Sequence, residues 1–140
     1  MTNTSMNPQS PTEVVRAFFN AMSKLDFDAA LLYVSDDCEY ENLPLPESKV
    51  IGPAGIRAIL EPFFAQTIEN EFIVIREAAQ GQVVFIERLD RHLLSNGWIE
   101  LPVTGVFEVH NGRITIWREY FNLPSIAPMF QMNDDSKYQV

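Results

Sequence analysis

The hydrophobic period changes once along this chain, and that change limits the folds open to it. Up to about residue 66 the apolar residues recur mostly at helical spacing, with one short alternating stretch. From Glu69 onward they alternate with a period of two. Four strands are predicted, at about 70–78, 82–94, 98–109 and 113–121, with Asn111-Gly112 as a hairpin turn between the last two and Gly81 and Asn96-Gly97 marking the others. Helices followed by a mostly antiparallel meander make an α+β chain, its helices packed on one face of a curved sheet.

The first helix has a complete start signal. Ser10 can cap, Pro11 suits the first helical position, and Glu13 closes a capping box. Val14, Val15, Phe18, Phe19 and Met22 form its apolar stripe. Asp26 caps a short second helix expected from Phe27 to about Val34. A strand is expected over Cys38 to Leu43, with Cys38, Tyr40 and Asn42 on one face, ended by Pro44 and Pro46. Gly52-Pro53 opens a third helix with Ile56, Ile59, Leu60, Phe63 and Phe64 as its stripe, and Pro62 within it implies a kink or a split. Residues 1–9 read as a disordered lead-in, 10–133 as a single domain with an irregular stretch after Leu123, and 134–140 as a frayed tail.

Composition narrows the partners. Of 140 residues, 46% are hydrophobic and 21% charged, as in an ordinary globular chain. Lys and Arg total 10 against 19 Asp and Glu, a net charge of −9, which argues against nucleic acid or an anionic membrane. The single cysteine, Cys38, excludes an internal disulfide and reads as a small core residue, and no Cys/His cluster has metal spacing. With a polar N-terminal run and no long apolar stretch, the expected location is the cytoplasm.

Two strands carry charge where the pattern expects apolar residues. One face reads Val84, Ile86, Arg88, Asp90, and another reads Thr115, Trp117, Glu119, Phe121. The row Leu101, Val103, Gly105, Phe107, Val109 between them is apolar. If these rows share the concave side, Arg88, Asp90 and Glu119 enter a hydrophobic cavity beside Tyr40, Asn42 and Trp117. One guanidinium and two carboxylates then favour retention of one proton, giving an acid facing a base. The same three residues also fit a solvated salt-bridge ladder. Alone, Tyr40 and Trp117 fit packing, and Asn42 fits turn chemistry. His92 and His110 read as loop-proximal or outer-face residues without a role. On the opposite face Val83, Phe85, Leu89, Ile114, Ile116 and Tyr120 look apolar, which predicts a homodimer through that face.

The segments Tyr40-Glu41-Asn42-Leu43-Pro44-Leu45-Pro46, Glu87-Arg88-Leu89-Asp90, Gly105-Val106-Phe107 and Gly112 to Phe121 resemble, in order and spacing, the limonene-1,2-epoxide hydrolase family. The resemblance implies the cone-shaped NTF2-like (cystatin-like, SnoaL-like) fold, a homodimer, and a one-step, cofactor-free opening of an epoxide by water. By this resemblance Asp90 is the acid, Arg88 lies between the carboxylates, Tyr40 and Asn42 hold the water, Trp117 lines the pocket, and the base falls at Glu119. The family has aspartate at that last position. The added methylene of Glu119 moves the carboxylate by more than ~1 Å unless the backbone compensates, and misplacement of that order can cost ~100-fold in rate. Hydrolysis, a different reaction on a different substrate, or ligand binding without turnover all stay open. The expected substrate is a lipophilic, terpenoid-like epoxide against a wall of Val84, Ile86, Leu101, Val103, Phe107 and Phe121. The rivals are a SnoaL-like or ketosteroid-isomerase-like isomerase or cyclase, and a non-catalytic small-molecule-binding protein.

Overall fold

The structure, a computed structural model, describes residues 9–131. The expected lead-in, apart from Gln9, and the expected frayed tail lie outside the described residues. Helix α1 (Pro11–Ser23) starts on the predicted capping box: Glu13 N donates to Ser10 Oγ, and Ser10 N donates to the Glu13 carboxylate. Its buried residues are the predicted stripe, Val14, Val15, Phe18, Phe19 and Met22. Asp26 caps α2 (Phe27–Leu31) by accepting from Ala29 N.

Helix α2 ends three residues short of the expected Val34, because Val34 already opens strand β1 (Val34–Asn42). The apolar run from Ala29 to Val34 belongs to two elements, and periodicity over so few residues cannot divide it. A strand of two residues, β2 (Val50–Ile51), was not anticipated; it pairs antiparallel with Glu39 and Tyr40 of β1. Helix α3 (Gly52–Phe64) begins at a residue with φ 78°, where an added Cβ would meet the Asp36 carbonyl oxygen at 2.5 Å. Only glycine fits there. The helix runs through Pro62 to Phe64 without a split, since Pro62 lies in the last turn.

The four long strands fall within two residues of expectation: β3 (Glu69–Gln80), β4 (Val83–Leu94), β5 (Gly97–His110) and β6 (Arg113–Phe121). Asn111 and Gly112 both have positive φ, 53° and 77°, as the tight hairpin turn requires. The sheet order is β2-β1-β6-β5-β4-β3; β1 runs parallel to β6 and every other pairing is antiparallel. The fold is the expected α+β arrangement of helices against a curved, mixed, mostly antiparallel sheet.

Register corrects one expectation. A bulge between Glu108 and Val109 shifts the β5–β6 pairing, so Ile114 and Trp117, three residues apart, both point into the core. Ile114 was expected on the outer face and is fully buried instead. Thr115, expected beside Trp117, bonds the Glu108 carbonyl across the bulge. On the outer face Phe85 and Tyr120 remain exposed, along with Ile73 and Ile75 of β3.

After β6 the chain is ordered where an irregular segment was expected. A 3-10 turn (Leu123–Ile126) leads into α4 (Ala127–Gln131). Pro124 and Pro128 sit at the starts of these elements, where a missing N–H is tolerated. Ile126 packs on Leu101, Val103 and Phe121 in a small second apolar cluster. Among the described residues, no helix is long and apolar enough to cross a membrane.

Candidate active site

Alternation along β4 turns Val84, Ile86, Arg88, Asp90, His92 and Leu94 inward. Register then places Gly105 opposite both Ile86 on β4 and Glu119 on β6, and Asn42 of β1 beside Glu119. Strands β4 and β6 therefore bring one guanidinium and two carboxylates together across the gap at Gly105 on β5. Arg88 Nε and Nη2 donate to Asp90 Oδ1 and Oδ2, each at 2.9 Å. Arg88 Nη1 and Nη2 donate to Glu119 Oε1 and Oε2, at 3.1 and 2.6 Å. Both carboxylates are engaged bidentately by one fork. The trio is buried, with Arg88 1%, Asp90 5% and Glu119 7% exposed, so the solvated-ladder alternative does not hold. The guanidinium carbon also lies 4.3 Å from the Phe19 ring centroid, which presents a π face from α1.

Gly105 makes room for this cluster. An added Cβ there would stand 2.5 Å from Glu119 Oε1, 2.7 Å from the Phe107 ring and 2.9 Å from Arg88 Nη1. Glutamate, despite its extra methylene, reaches Arg88 through the space this absent side chain leaves.

Burial pushes the Glu119 carboxyl above its ordinary value, against the opposing pull of Arg88, with Asp90 adding to the rise. Burial pulls Arg88 toward its neutral form, but Asp90 and Glu119 outweigh that and raise it. Arg88 therefore stays charged. Tyr40 is held well above a normal phenol, first by burial and then by the Glu119 charge. It is a neutral hydroxyl that receives Asn42 Nδ2 at 3.1 Å. Its ring stacks on Trp117, centroids 3.9 Å apart. Trp117 Nε1 is sealed from solvent and, as a donor beside Glu119, opposes the rise of that carboxyl.

A cavity of about 430 Å³ opens over Asp90 and Glu119. Tyr40, Asn42, Trp117, Leu101, Val103 and Phe121 line it as expected. Val84, Ile86 and Phe107 do not. They pack in the core beneath α1, where Phe19 meets Phe107 edge to face, because α1 crosses that end of the sheet and fills it. Arg88 lies under the two acids rather than on the wall. The rest of the wall comes from residues not singled out as site residues: Phe19 and Met22 of α1, Ile59, Leu60, Phe63 and Phe64 of α3, Phe72 of β3, and Ile126 and Met129 of the C-terminal turn and helix. Gln66 bonds the Met129 carbonyl and ties α4 to the end of α3.

His92 is a further correction. Instead of lying near a loop or on the outer face, it is buried and lines the cavity. The same alternation that placed Arg88 and Asp90 inward extends to it, and that signal was available. His110 is half-exposed at the β5–β6 turn, 3.5 Å from Glu108. Cys38 is a core residue whose thiol burial pushes up to about 12, with Asp37 and Glu39 adding to the rise; it is not a thiolate.

Comparison with known proteins bears on the family and the fold. The limonene-1,2-epoxide hydrolase catalytic domain matches residues 9–131. The epoxide hydrolase EphG of Mycobacterium tuberculosis (strain ATCC 25618 / H37Rv) is 35% identical over 109 residues, covering 78% of this chain and 71% of that one. A solved M. tuberculosis LEH-like epoxide hydrolase superposes with a TM-score of 0.72 at 31% identity, over 87% of this chain and 90% of that chain. An NTF2-like protein of unknown function from Burkholderia pseudomallei K96243 superposes with a TM-score of 0.72 at 16% identity, over 90% and 98% of the two chains, a likeness of fold. On the family match and the identity to its relatives, this chain belongs to the limonene-1,2-epoxide hydrolase family, within the NTF2-like fold.

Proposed function

We propose that the chain is an epoxide hydrolase that adds water to a lipophilic epoxide in one step, needs no cofactor, and releases a vicinal diol. The observation that carries this reading is Arg88 held bidentately between two buried carboxylates at the floor of an apolar cavity. Three charged groups with a net −1 retain one proton. Asp90 holds it as the acid, and Glu119 is the base. Water positioned by Tyr40 and Asn42 attacks an oxirane carbon. As that C–O bond forms, the oxirane C–O bond breaks, the water's proton passes to Glu119, and Asp90 gives its proton to the leaving oxygen. Return of a proton from Glu119 to Asp90 through water resets the site.

Trp117, Leu101, Val103 and Phe121 with the α3 phenylalanines would hold the hydrocarbon body of the substrate, a terpenoid-like epoxide. The active form is a homodimer through the outer sheet face, where Phe85, Ile73, Ile75 and Tyr120 are exposed.

Turnover of limonene 1,2-epoxide and other lipophilic epoxides in ¹⁸O-water tests the chemistry. One labelled oxygen in the diol is expected, with Asp90→Asn and Glu119→Gln each lowering kcat by at least ~10³-fold while circular dichroism stays unchanged. Activity retained in either variant overturns the role assigned to that residue. Absence of any diol from a broad epoxide panel overturns the reading as a whole.

A further inference from the structure

The proposed chemistry leaves one buried polar residue of the cavity wall unused. His92 stands one inward position beyond Asp90 on β4 and is 1% exposed. Its protonation pattern is set from the far end of a hydrogen-bond chain. The Phe64 carbonyl can only accept, so the Thr67 hydroxyl donates to it, at 2.8 Å. Thr67 Oγ1 in turn accepts from Asn70 Nδ2 at 2.8 Å. That turns the Asn70 amide oxygen toward His92 Nδ1, 2.6 Å away. An amide oxygen accepts, so Nδ1 carries the proton and Nε2 carries the lone pair. The rings of Phe63, Phe64 and Phe72 surround the imidazole edge to face.

No described residue donates to Nε2. Nδ1 is turned back toward β3, so Nε2 lies on the other side of a ring that lines the cavity. An apolar ligand packed against Nε2 would leave that acceptor without a donor, at a cost on the order of 1–3 kcal/mol. Here the end of α3, the connection after it and β3 all contribute to fixing its direction. A site for a pure hydrocarbon body would be better served by leucine or phenylalanine at this position.

We propose that His92 Nε2 accepts a hydrogen bond from a hydroxyl group of the substrate, which makes the preferred ligand a lipophilic epoxide bearing an alcohol roughly 7 Å from the oxirane oxygen, the span of two strand residues. The position of the oxirane rests on the hydrolase reading above; the hydroxyl acceptor does not.

Two measurements test this. In the first, kcat/KM is compared for limonene 1,2-epoxide and its analogue hydroxylated on the isopropenyl group. The wild type should prefer the hydroxylated epoxide by about 10–100-fold, the range that one satisfied or orphaned buried acceptor supplies. His92→Phe should erase that preference, read as the ratio of the two kcat/KM values within the variant and independent of its absolute activity. Equal kcat/KM for the two epoxides in the wild type overturns the proposal.

The second uses the unmodified protein and needs no turnover. Limonene and its isopropenyl alcohol, which have no oxirane, are titrated into ¹⁵N-histidine-labelled protein. The chain has two histidines, and half-exposed His110 serves as the internal control. The alcohol should bind at least about tenfold tighter and move the His92 Nε2 resonance upfield, while limonene should leave that resonance in place. Equal affinities with a stationary Nε2 signal overturn the proposal even if epoxides are hydrolysed. A shifted Nε2 signal with no hydrolysis of any epoxide supports the hydroxyl acceptor and removes the hydrolase reading instead.

Discussion

At the scale of single residues, the site depends as much on an absent side chain as on those present. Arg88 spreads four hydrogen bonds over Asp90 and Glu119. That geometry exists because Gly105 contributes nothing where a methyl group would sit 2.5 Å from Glu119 Oε1. Gly105→Ala is therefore expected to push the glutamate off Arg88, lowering kcat by about 100-fold and stability by about 1–3 kcal/mol. Steady-state kinetics with a denaturant titration measure both, and unchanged kcat would show that the glutamate tolerates displacement. The inward alternation of β4 made Arg88 and Asp90 legible in the sequence. Gly105 was visible as part of an apolar row and of a family motif but not as the space for the glutamate, because what it accommodates comes from two other strands.

At the scale of elements, strands and capped helices follow local rules, while connections and short pieces do not. The Ser10–Glu13 capping box and the alternation of β4 and β5 need only neighbours in sequence. Strand β2 has two residues and exists only because β1 offers it an edge. The bulge at Glu108 and Val109 reverses which of Ile114 and Thr115 faces inward, and no residue type announces it. The C-terminal turn and α4 cover the cavity with Ile126 and Met129, a role that depends on their docking against β5 and α3. Ile126→Ala should lower stability by about 2 kcal/mol and raise KM for an apolar epoxide with kcat little changed. A fall in kcat with KM unchanged would mean that α4 acts on the chemistry rather than on holding the substrate.

At the scale of the whole molecule, two buried titratable groups pull stability in opposite directions with pH. Burial depresses His92 from 6.5 to about 4, with Asp90 opposing and Arg88 assisting. The folded state holds it neutral, so its stability is intact above about 6.5 and is lost as pH falls toward 4, by roughly 3 kcal/mol in total. Glu119 is raised, so its contribution is present below its ordinary value and declines as pH rises through its folded one. Denaturant midpoints from pH 4 to 7 should fall less steeply toward acid in His92→Phe than in the wild type; parallel curves would place the acid sensitivity elsewhere. The outer face bears on assembly. Sedimentation at micromolar concentration should give a dimer for the wild type and a monomer for Phe85→Glu, and a wild-type monomer would refute the proposed interface.

The sequence by itself determined the order of helices and strands, the inward row that carries Arg88 and Asp90, and the family, because periodicity, caps and motif spacing are properties of neighbouring residues. Tertiary structure alone decided which apolar rows line the cavity and which are covered by α1, and that Gly105 leaves space for the longer Glu119 carboxylate. Those outcomes depend on which strand lies beside which and where a bulge resets the register, and contacts between distant segments leave no periodic trace in the chain.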